Sequence, residues 1–462
     1  MKITRTSAFQ TTVLYLAALS LIFAYAVFQA GGTIKAEWEH CMIGVGLLLL
    51  VYFRYTKESD LAPSPEWWLW WPFPLLIGYI LLQLVPLPAP VLNIISPTRA
   101  TLLQSLNGIS PGIRYAPISV FPAGSLAQFL RVASYVVVFV LARELAWKIR
   151  HRRWIVVAPF VTIAATEALL GLFQYDASTG AAARGTYGNQ NHFAGLLELS
   201  LPFAVTYVIV VLDSARVRSL RQALLASMAA MASTLILIGI LFSMSRMAFV
   251  AALTSLFVVG SLALAVRKSV LRWWIAPGLL GITLVAGFVY LSPEALIGRF
   301  SQIVASEGVP ADVRFHVWSD TERLVADYPV VGTGLGTFEQ AFNKYKTVSP
   351  QIAIDSPHND YLQILVELGT IGFAVAMLAM LSLLVAAGRA TFRSVDPTVR
   401  YLAIACFGAL VAILLHSFTD LNLYIPANGM LVAWIAGVVA SLSLSSKKLA
   451  EEGLRKEKNE GA

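Results

Sequence analysis

Residues 361–387 read YLQILVELGTIGFAVAMLAMLSLLVAA. A single charge, Glu367, interrupts the run. A helix rises 1.5 Å per residue and the hydrocarbon core of a bilayer is about 30 Å thick, so roughly 20 apolar residues suffice to cross it. The same reading finds eleven further candidates, at about 9–30, 40–53, 67–86, 125–142, 154–174, 192–212, 225–243, 247–266, 273–291, 401–419 and 429–446. The run at 40–53 is short and extends back toward Lys35. The first run has no small-residue cleavage site after it and reads as a span, not a signal peptide. The expectation is an all-α polytopic membrane protein of about twelve transmembrane helices.

The rest of the composition agrees. Of 462 residues, 57% are apolar and 13% charged. A soluble domain carries about 25% charged residues, and a disordered chain more. Two cysteines, Cys41 and Cys406, are too few for a disulfide framework and sit at the start of one apolar run and inside another. A net charge of +8 could suit nucleic acid in a soluble protein. Here position matters more than sum. With the N-terminus in the cytoplasm, 23 of the 34 Lys and Arg fall on inner loops and tails, including the cluster Arg143, Lys148, Arg150, Arg152 and Arg153. Both termini are therefore placed in the cytoplasm and no nucleic-acid partner is expected.

This topology divides the chain into helices 1–9 with short loops (1–291), a large periplasmic loop with short helices (292–360), helices 10–12 (361–446) and a basic cytoplasmic tail (447–462), read as solvated and mobile. Two smaller outer segments lie at about 87–124 and 175–191.

Four outer-face stretches hold polar residues that topology does not explain. The first is Arg184-Gly185-Thr186-Tyr187-Gly188-Asn189-Gln190-Asn191-His192. It offers amides and a cation to an anion, or else forms an Asn-rich helix cap. The second is Ser243-Met244-Ser245-Arg246-Met247, where Arg246 stands between two apolar runs with almost no loop. Such a charge marks a cavity, or snorkels to headgroups. In the third, Val313, Val317, Trp318, Thr321, Leu324, Val325 and Tyr328 recur at helical spacing after a capping Asp312. Arg314 falls inside that stripe and needs an anionic partner, from protein or ligand; His316, Glu322 and Arg323 fall outside it, and Asp320 just past its edge. The fourth is Asp355-Ser356-Pro357-His358-Asn359-Asp360-Tyr361. Ser356 as N-cap and Pro357 at the first helical position would put His358 in the first turn, where the helix dipole favours the neutral imidazole, a base near pH 7. Asn359 and Tyr361 stand close enough in sequence to orient it. Weaker signals are Gly332-Thr333-Gly334-Leu335-Gly336, which lacks the βαβ context of a dinucleotide turn, and His416, Asp420 and Asn422, read as a polar patch or a closed turn. No His, Cys, Asp or Glu set has metal-ligand spacing, so no metal and no cofactor is expected.

Taken in order, the stretch 184–194, Ser245-Arg246, the Arg314…Trp318 helix, Gly332 to Phe338 and Pro357-His358-Asn359-Asp360-Tyr361 resemble the bacterial O-antigen ligase and polymerase superfamily. The resemblance spans about 180–425. It implies an inner-membrane glycosyltransferase with its site on the periplasmic face and undecaprenyl-diphosphate-linked glycan as donor. The ligase branch transfers to lipid A–core and the polymerase branch to another lipid-linked glycan; a further branch glycosylates protein. By motif, the family's diphosphate-binding arginines map to Arg184, Arg246 and Arg314 and its catalytic histidine to His358. Asn189, Asn191, Asn359 and Tyr361 would support them. The periplasm has no ATP, so a donor must arrive activated, and arginine forks suit a diphosphate leaving group without a metal. The expectation is a metal-independent, inverting transfer. The competing classes are a secondary transporter, for which no internal repeat is visible, and a non-catalytic envelope assembly protein.

Overall fold

The structure is a computed structural model and describes residues 2–109, 111–176, 181–213, 219–266, 311–347 and 353–460. Eleven helices long and apolar enough to cross a membrane occur among them, each matching one of the expected runs. The expected run at 273–291 and the loop portion 292–310 lie outside the described residues. In chain order the helices are α1 (Lys2–Phe28), α2 (Lys35–Tyr55), α3 (Trp67–Trp70), α4 (Pro72–Leu84), α5 (Ala89–Ile95), α6 (Pro97–Asn107), α7 (Pro122–Lys148), α8 (Trp154–Gln174), α9 (Gln190–Asp213), α10 (Leu220–Phe242), α11 (Arg246–Ala265), α12 (Ala311–Asp327), α13 (Phe338–Phe342), α14 (Asp360–Arg393), α15 (Pro397–His416) and α16 (Pro426–Glu460). The second span does begin at Lys35. α16 continues through the charged tail to Glu460, because no Gly or Pro follows its apolar run before Gly453 and Glu and Lys are good helix formers. The one sheet among the described residues is a two-stranded antiparallel pair, β1 (Leu87–Pro88) with β2 (Tyr115–Ala116), closing the segment that carries α5 and α6.

Lipid is as apolar as leucine, so helices associate here through close packing and internal hydrogen bonds. α16 is the centre of the bundle. Its Trp434 is fully buried and meets the Phe23 and Phe160 rings at 5.9 Å each. Gly437 lets α16 approach α7 so closely that a Cβ there would stand 2.5 Å from the Phe139 carbonyl oxygen. Both cysteines are buried free thiols.

α14 is broken at Gly369, whose φ of 64° and ψ of −174° are not helical. A break inside a membrane span frees backbone groups that lipid cannot satisfy. The segment 329–336, which holds the glycine loop, satisfies them. Thr333 and Gly334 donate their N–H groups to the Val366 and Glu367 carbonyls at 2.9 Å, and Thr370 N–H donates to the Pro329 carbonyl at 2.8 Å. Contact this close excludes side chains: a Cβ on Gly332 would lie 2.4 Å from the Glu367 carbonyl oxygen, and Gly332 also has φ +71°. The glycines thus dock a loop into a membrane helix. Gln83 of α4 completes the joint, donating to the Val331 and Glu367 carbonyls and accepting from Leu335 N–H. The lone charge of the opening run, Glu367, belongs to the same joint, accepting from Gln363 Nε2, Phe338 N–H and the Tyr424 hydroxyl.

α12 keeps the expected stripe. Val317, Thr321, Leu324 and Tyr328 are buried, packed with Phe338, Phe342 and Val366, and His316 is exposed. Asp320 is also buried. The chain at Thr347 folds over it and donates its N–H and hydroxyl, and Arg323 pairs with it.

Candidate active site

The polar stretches converge at one end of the bundle, tied to one another by backbone. Ala183 N–H donates to the Phe242 carbonyl at 2.9 Å, which joins the Arg184 turn to the end of α10, three residues before Ser245. Thr186 donates its N–H and hydroxyl to Glu167 of α8, and its hydroxyl also reaches the Val27 carbonyl at the end of α1. Arg184 is exposed beside this anchored turn, and Arg246, half-buried, opens α11 directly after Ser245. Arg314 is half-buried on α12. One turn further along the same face, Trp318 Nε1 donates to the Pro357 carbonyl at 2.8 Å, which seats α12 against the His358 segment.

His358 stands one residue before the N-cap of α14. The expected cap at Ser356 is displaced because Asn359 takes that role: its Oδ1 accepts from Tyr361 and Leu362 N–H at 3.0 and 3.1 Å. The imidazole is therefore outside the first turn. Its backbone is left-handed, with φ 50°. For a residue with a Cβ that conformation costs roughly 1–2 kcal/mol and persists where its surroundings fix it. Here Asp360 does so. It donates its N–H to the Ser417 carbonyl, while its carboxylate accepts from the Ser417 hydroxyl and Leu423 N–H. The start of α14 is thereby locked to the turn after α15.

That lock sets His358 opposite Asp420. His358 Nδ1 lies 3.6 Å from Asp420 Oδ1, and the same oxygen lies 3.4 Å from His192 Nε2. Asp420 is 1% exposed and His358 25%. Burial pushes the Asp420 carboxyl up, but the His192 and His358 imidazoles facing it prevail and hold it well below the usual carboxylate range. An ionised carboxylate only accepts hydrogen bonds, so it favours the tautomer with hydrogen on Nδ1 of His358. The lone pair then sits on Nε2, across the ring from Asp420. The two groups face each other without a hydrogen bond between them, the relative placement from which a carboxylate can orient a base. Such contacts are often long without substrate.

Beside this group an apolar cavity of about 250 Å³ runs between α4, α7, α14 and α16. Asp360 and Tyr361 line it, as do Arg131, Tyr424 and apolar side chains such as Phe73 and Met380.

Against this geometry, the chain matches a family described as O-antigen ligase over residues 231–377. Over that segment the chain is similar to the O-antigen ligase family. Comparison with curated proteins gives no match. The matched O-antigen ligase segment is roughly a third of the chain and carries Arg246, Arg314, His358, Asn359 and Tyr361. Arg184, Asn189, Asn191, His192 and Asp420 lie outside it.

Of the residues expected to support the site, Asn359, Tyr361 and Asn189 make local contacts of their own. Asn359 caps α14, and the Tyr361 hydroxyl donates to the Leu414 carbonyl at 2.6 Å. Asn189 caps α9, its Oδ1 accepting from Asn191 N–H at 2.7 Å, so the helix-capping reading holds for that residue. Asn191 is buried in the first turn. The carboxylate that does face His358, Asp420, was visible in sequence only as part of a patch 62 positions away. Its polarity beside an apolar run was a signal, but its partner was not. The buried acids Glu167 and Glu198 are likewise bound internally, Glu198 by His416 Nδ1 at 3.0 Å.

Proposed function

We propose that the protein is a multi-pass inner-membrane glycosyltransferase that moves a glycan from undecaprenyl diphosphate to an acceptor hydroxyl on the periplasmic face. The observation that carries this reading is the buried Asp420 carboxylate facing His358, on a segment seated against the Arg314 helix. The acceptor hydroxyl gives its proton to His358 Nε2 as its oxygen bonds the anomeric carbon. The carbon–oxygen bond to the diphosphate breaks, and the diphosphate leaves with the electron pair. Attack from the far side of the sugar inverts the anomeric configuration in one displacement. Arg184, Arg246 and Arg314 bind the departing diphosphate, whose charge grows as the bond breaks. Arginine binds phosphate oxygens bidentately, so the transfer is metal-independent. The apolar cavity beside Asp360 and Tyr361 suits a substrate attached to a lipid chain.

The acceptor is lipid A–core, as for a ligase; the polymerase reading, with a second lipid-linked glycan as acceptor, shares every residue named. Turnover of radiolabelled undecaprenyl-diphosphate glycan by the purified protein, with and without EDTA, tests the chemistry. Transfer that persists in EDTA supports the proposal; its abolition by EDTA, or no turnover at all, rejects it. In a deletion strain, lost capping of lipid A–core with accumulation of lipid-linked polymer identifies a ligase. Single-repeat product identifies a polymerase.

A further inference from the structure

The chain between α4 and α7, residues 85–121, contains Arg99 and Arg114 and no Asp, Glu or Lys. Its helices α5 and α6 form a hairpin closed by β1 and β2, where Ala89 N–H also donates to the Arg114 carbonyl at 3.0 Å. One side of the hairpin is core: Leu92, Ala100 and Leu103 pack with Ala116, Ile118 and Val331. Arg99 belongs to that side, buried and donating from Nε to the Pro117 carbonyl at 3.0 Å. A second flank is apolar and uncovered. Ile94 is 81% exposed and Ile109 84%, and Val91, Leu102 and Leu106 are exposed as well. At about 100° per residue, Leu102 and Leu106 fall side by side next to the buried Arg99 and Leu103. Exposed Thr101, Gln104 and Ser105 take the other side of α6. The helix thus has a packed face, a bare apolar flank and a polar back.

We infer that the α5–α6 hairpin is an interfacial element, its bare flank seated among the acyl chains of the leaflet at the His358 end of the bundle. The occupant follows from what adjoins the flank. Exposed Leu81, Leu82 and Val85 stand at the end of α4, just before the hairpin, and exposed Leu126 and Leu130 stand on α7, just after it. Both helices belong to membrane spans. The flank therefore continues a surface that hydrocarbon already covers. Charge agrees: exposed Arg114, with no acid in the segment, suits lipid phosphates. Single exposed apolar side chains are ordinary, but this many within one short hairpin mark an interaction surface.

The hairpin bears on the scaffold of the candidate site. Val331, which packs under it, gives its carbonyl to Gln83 Nε2 and the Tyr79 hydroxyl. Val120 N–H, on the return to α7, donates to the Thr333 carbonyl at 2.8 Å. Seated in the leaflet, the hairpin pins the glycine joint to the membrane surface. This inference does not depend on the transfer chemistry.

The test reads depth. In a background with Cys41 and Cys406 replaced by Ser, the full chain carrying Ile94→Cys, Leu106→Cys, Ile109→Cys, Gln104→Cys or Leu126→Cys is labelled with bimane. Each is reconstituted in nanodiscs of phosphatidylethanolamine and phosphatidylglycerol, with and without lipid bearing a nitroxide near the top of the acyl chain. All five positions are exposed, so the label displaces no packed side chain. An interfacial helix sinks its apolar face about 5–10 Å into the headgroup boundary, within reach of that nitroxide. The labels at 94, 106 and 109 should lose as much emission as the one at 126, and roughly twofold or more than the one at 104. Aqueous iodide should reverse the order. Nitroxide quenching of the three at the level of position 104 would overturn the inference. Protection from both quenchers would also overturn it, since it would place a protein or a second copy of the chain on the flank instead of lipid. No turnover is needed, so a negative result leaves the proposed glycan transfer standing.

Discussion

At the scale of single residues, the proposed reaction divides the work between His358 and the arginines, and their substitutions should separate. A positioned base contributes roughly 10²–10⁴-fold. His358→Ala should lose turnover by that factor while binding lipid-linked glycan as the wild type does. Initial rates and equilibrium binding on the same preparation check this, and near-wild-type turnover would remove His358 from the chemistry. Arg246→Lys and Arg314→Lys keep charge but lose the planar fork. Each should lose much of the activity and bind donor more weakly; unchanged kcat/KM in both would clear them of the diphosphate.

Asp420 gives a pH prediction with a definite sign. Its pKa is depressed in the fold. Its contribution to stability is therefore fully present above the ordinary Asp value of about 3.9 and is lost only as pH falls through the lower folded value. Between pH 5 and 8 it stays ionised, and an acid limb in that window belongs to an imidazole. Asp420→Asn can offer its NH₂ group to His358 Nδ1 and so favour the wrong tautomer. A loss of roughly 10²–10⁴-fold in turnover is expected, with thermal unfolding measured alongside to separate a folding defect from a chemical one.

At the scale of elements, the decisive feature is the joint between the Gly332–Gly336 loop and the break in α14 at Gly369. It fixes α14, and through Asp360 and Ser417 it fixes the segment carrying His358. Gly332→Ala introduces a Cβ where the Glu367 carbonyl oxygen would be 2.4 Å away and where φ is +71°. The backbone alone costs roughly 1–2 kcal/mol, and the contact adds to it. Gly332→Ala should lower the midpoint of thermal unfolding in detergent by several degrees and reduce turnover with it. In contrast, Ala substitution of exposed Glu339, seven residues on, should leave both nearly unchanged.

For the whole molecule, the testable quantity is sidedness. The basic residues lead to the expectation that both termini are cytoplasmic, and the polar stretches meet at one end of the bundle. Exposed Ser319 on α12 and exposed Ser59, between α2 and α3, provide labelling positions. In a background with Cys41 and Cys406 replaced by Ser, a membrane-impermeant maleimide applied from the periplasm should label Ser319→Cys and spare Ser59→Cys. Equal labelling of the two would refute the topology and, with it, the periplasmic site.

Sequence by itself determined the membrane class and the eleven described spans, because crossing hydrocarbon demands long apolar runs whatever lies around them. It also marked Arg184, Arg246, Arg314 and His358, since charge and polarity beside such runs stand out locally. It gave the apolar stripe of α12 for the same reason: helical periodicity is a property of neighbours in the chain. What it left undecided were pairings across long separations. The glycine loop read as a weak nucleotide-like turn until the broken helix it completes was seen. Asn359 and Tyr361 looked like partners of His358 because they are adjacent in sequence, whereas the side chain facing it is Asp420, brought in by the turn after α15. Hydrogen-bond partners of a buried polar group are chosen by the bundle's packing, not by spacing along the chain, and only the tertiary structure decides that both His192 and His358 meet one carboxylate oxygen.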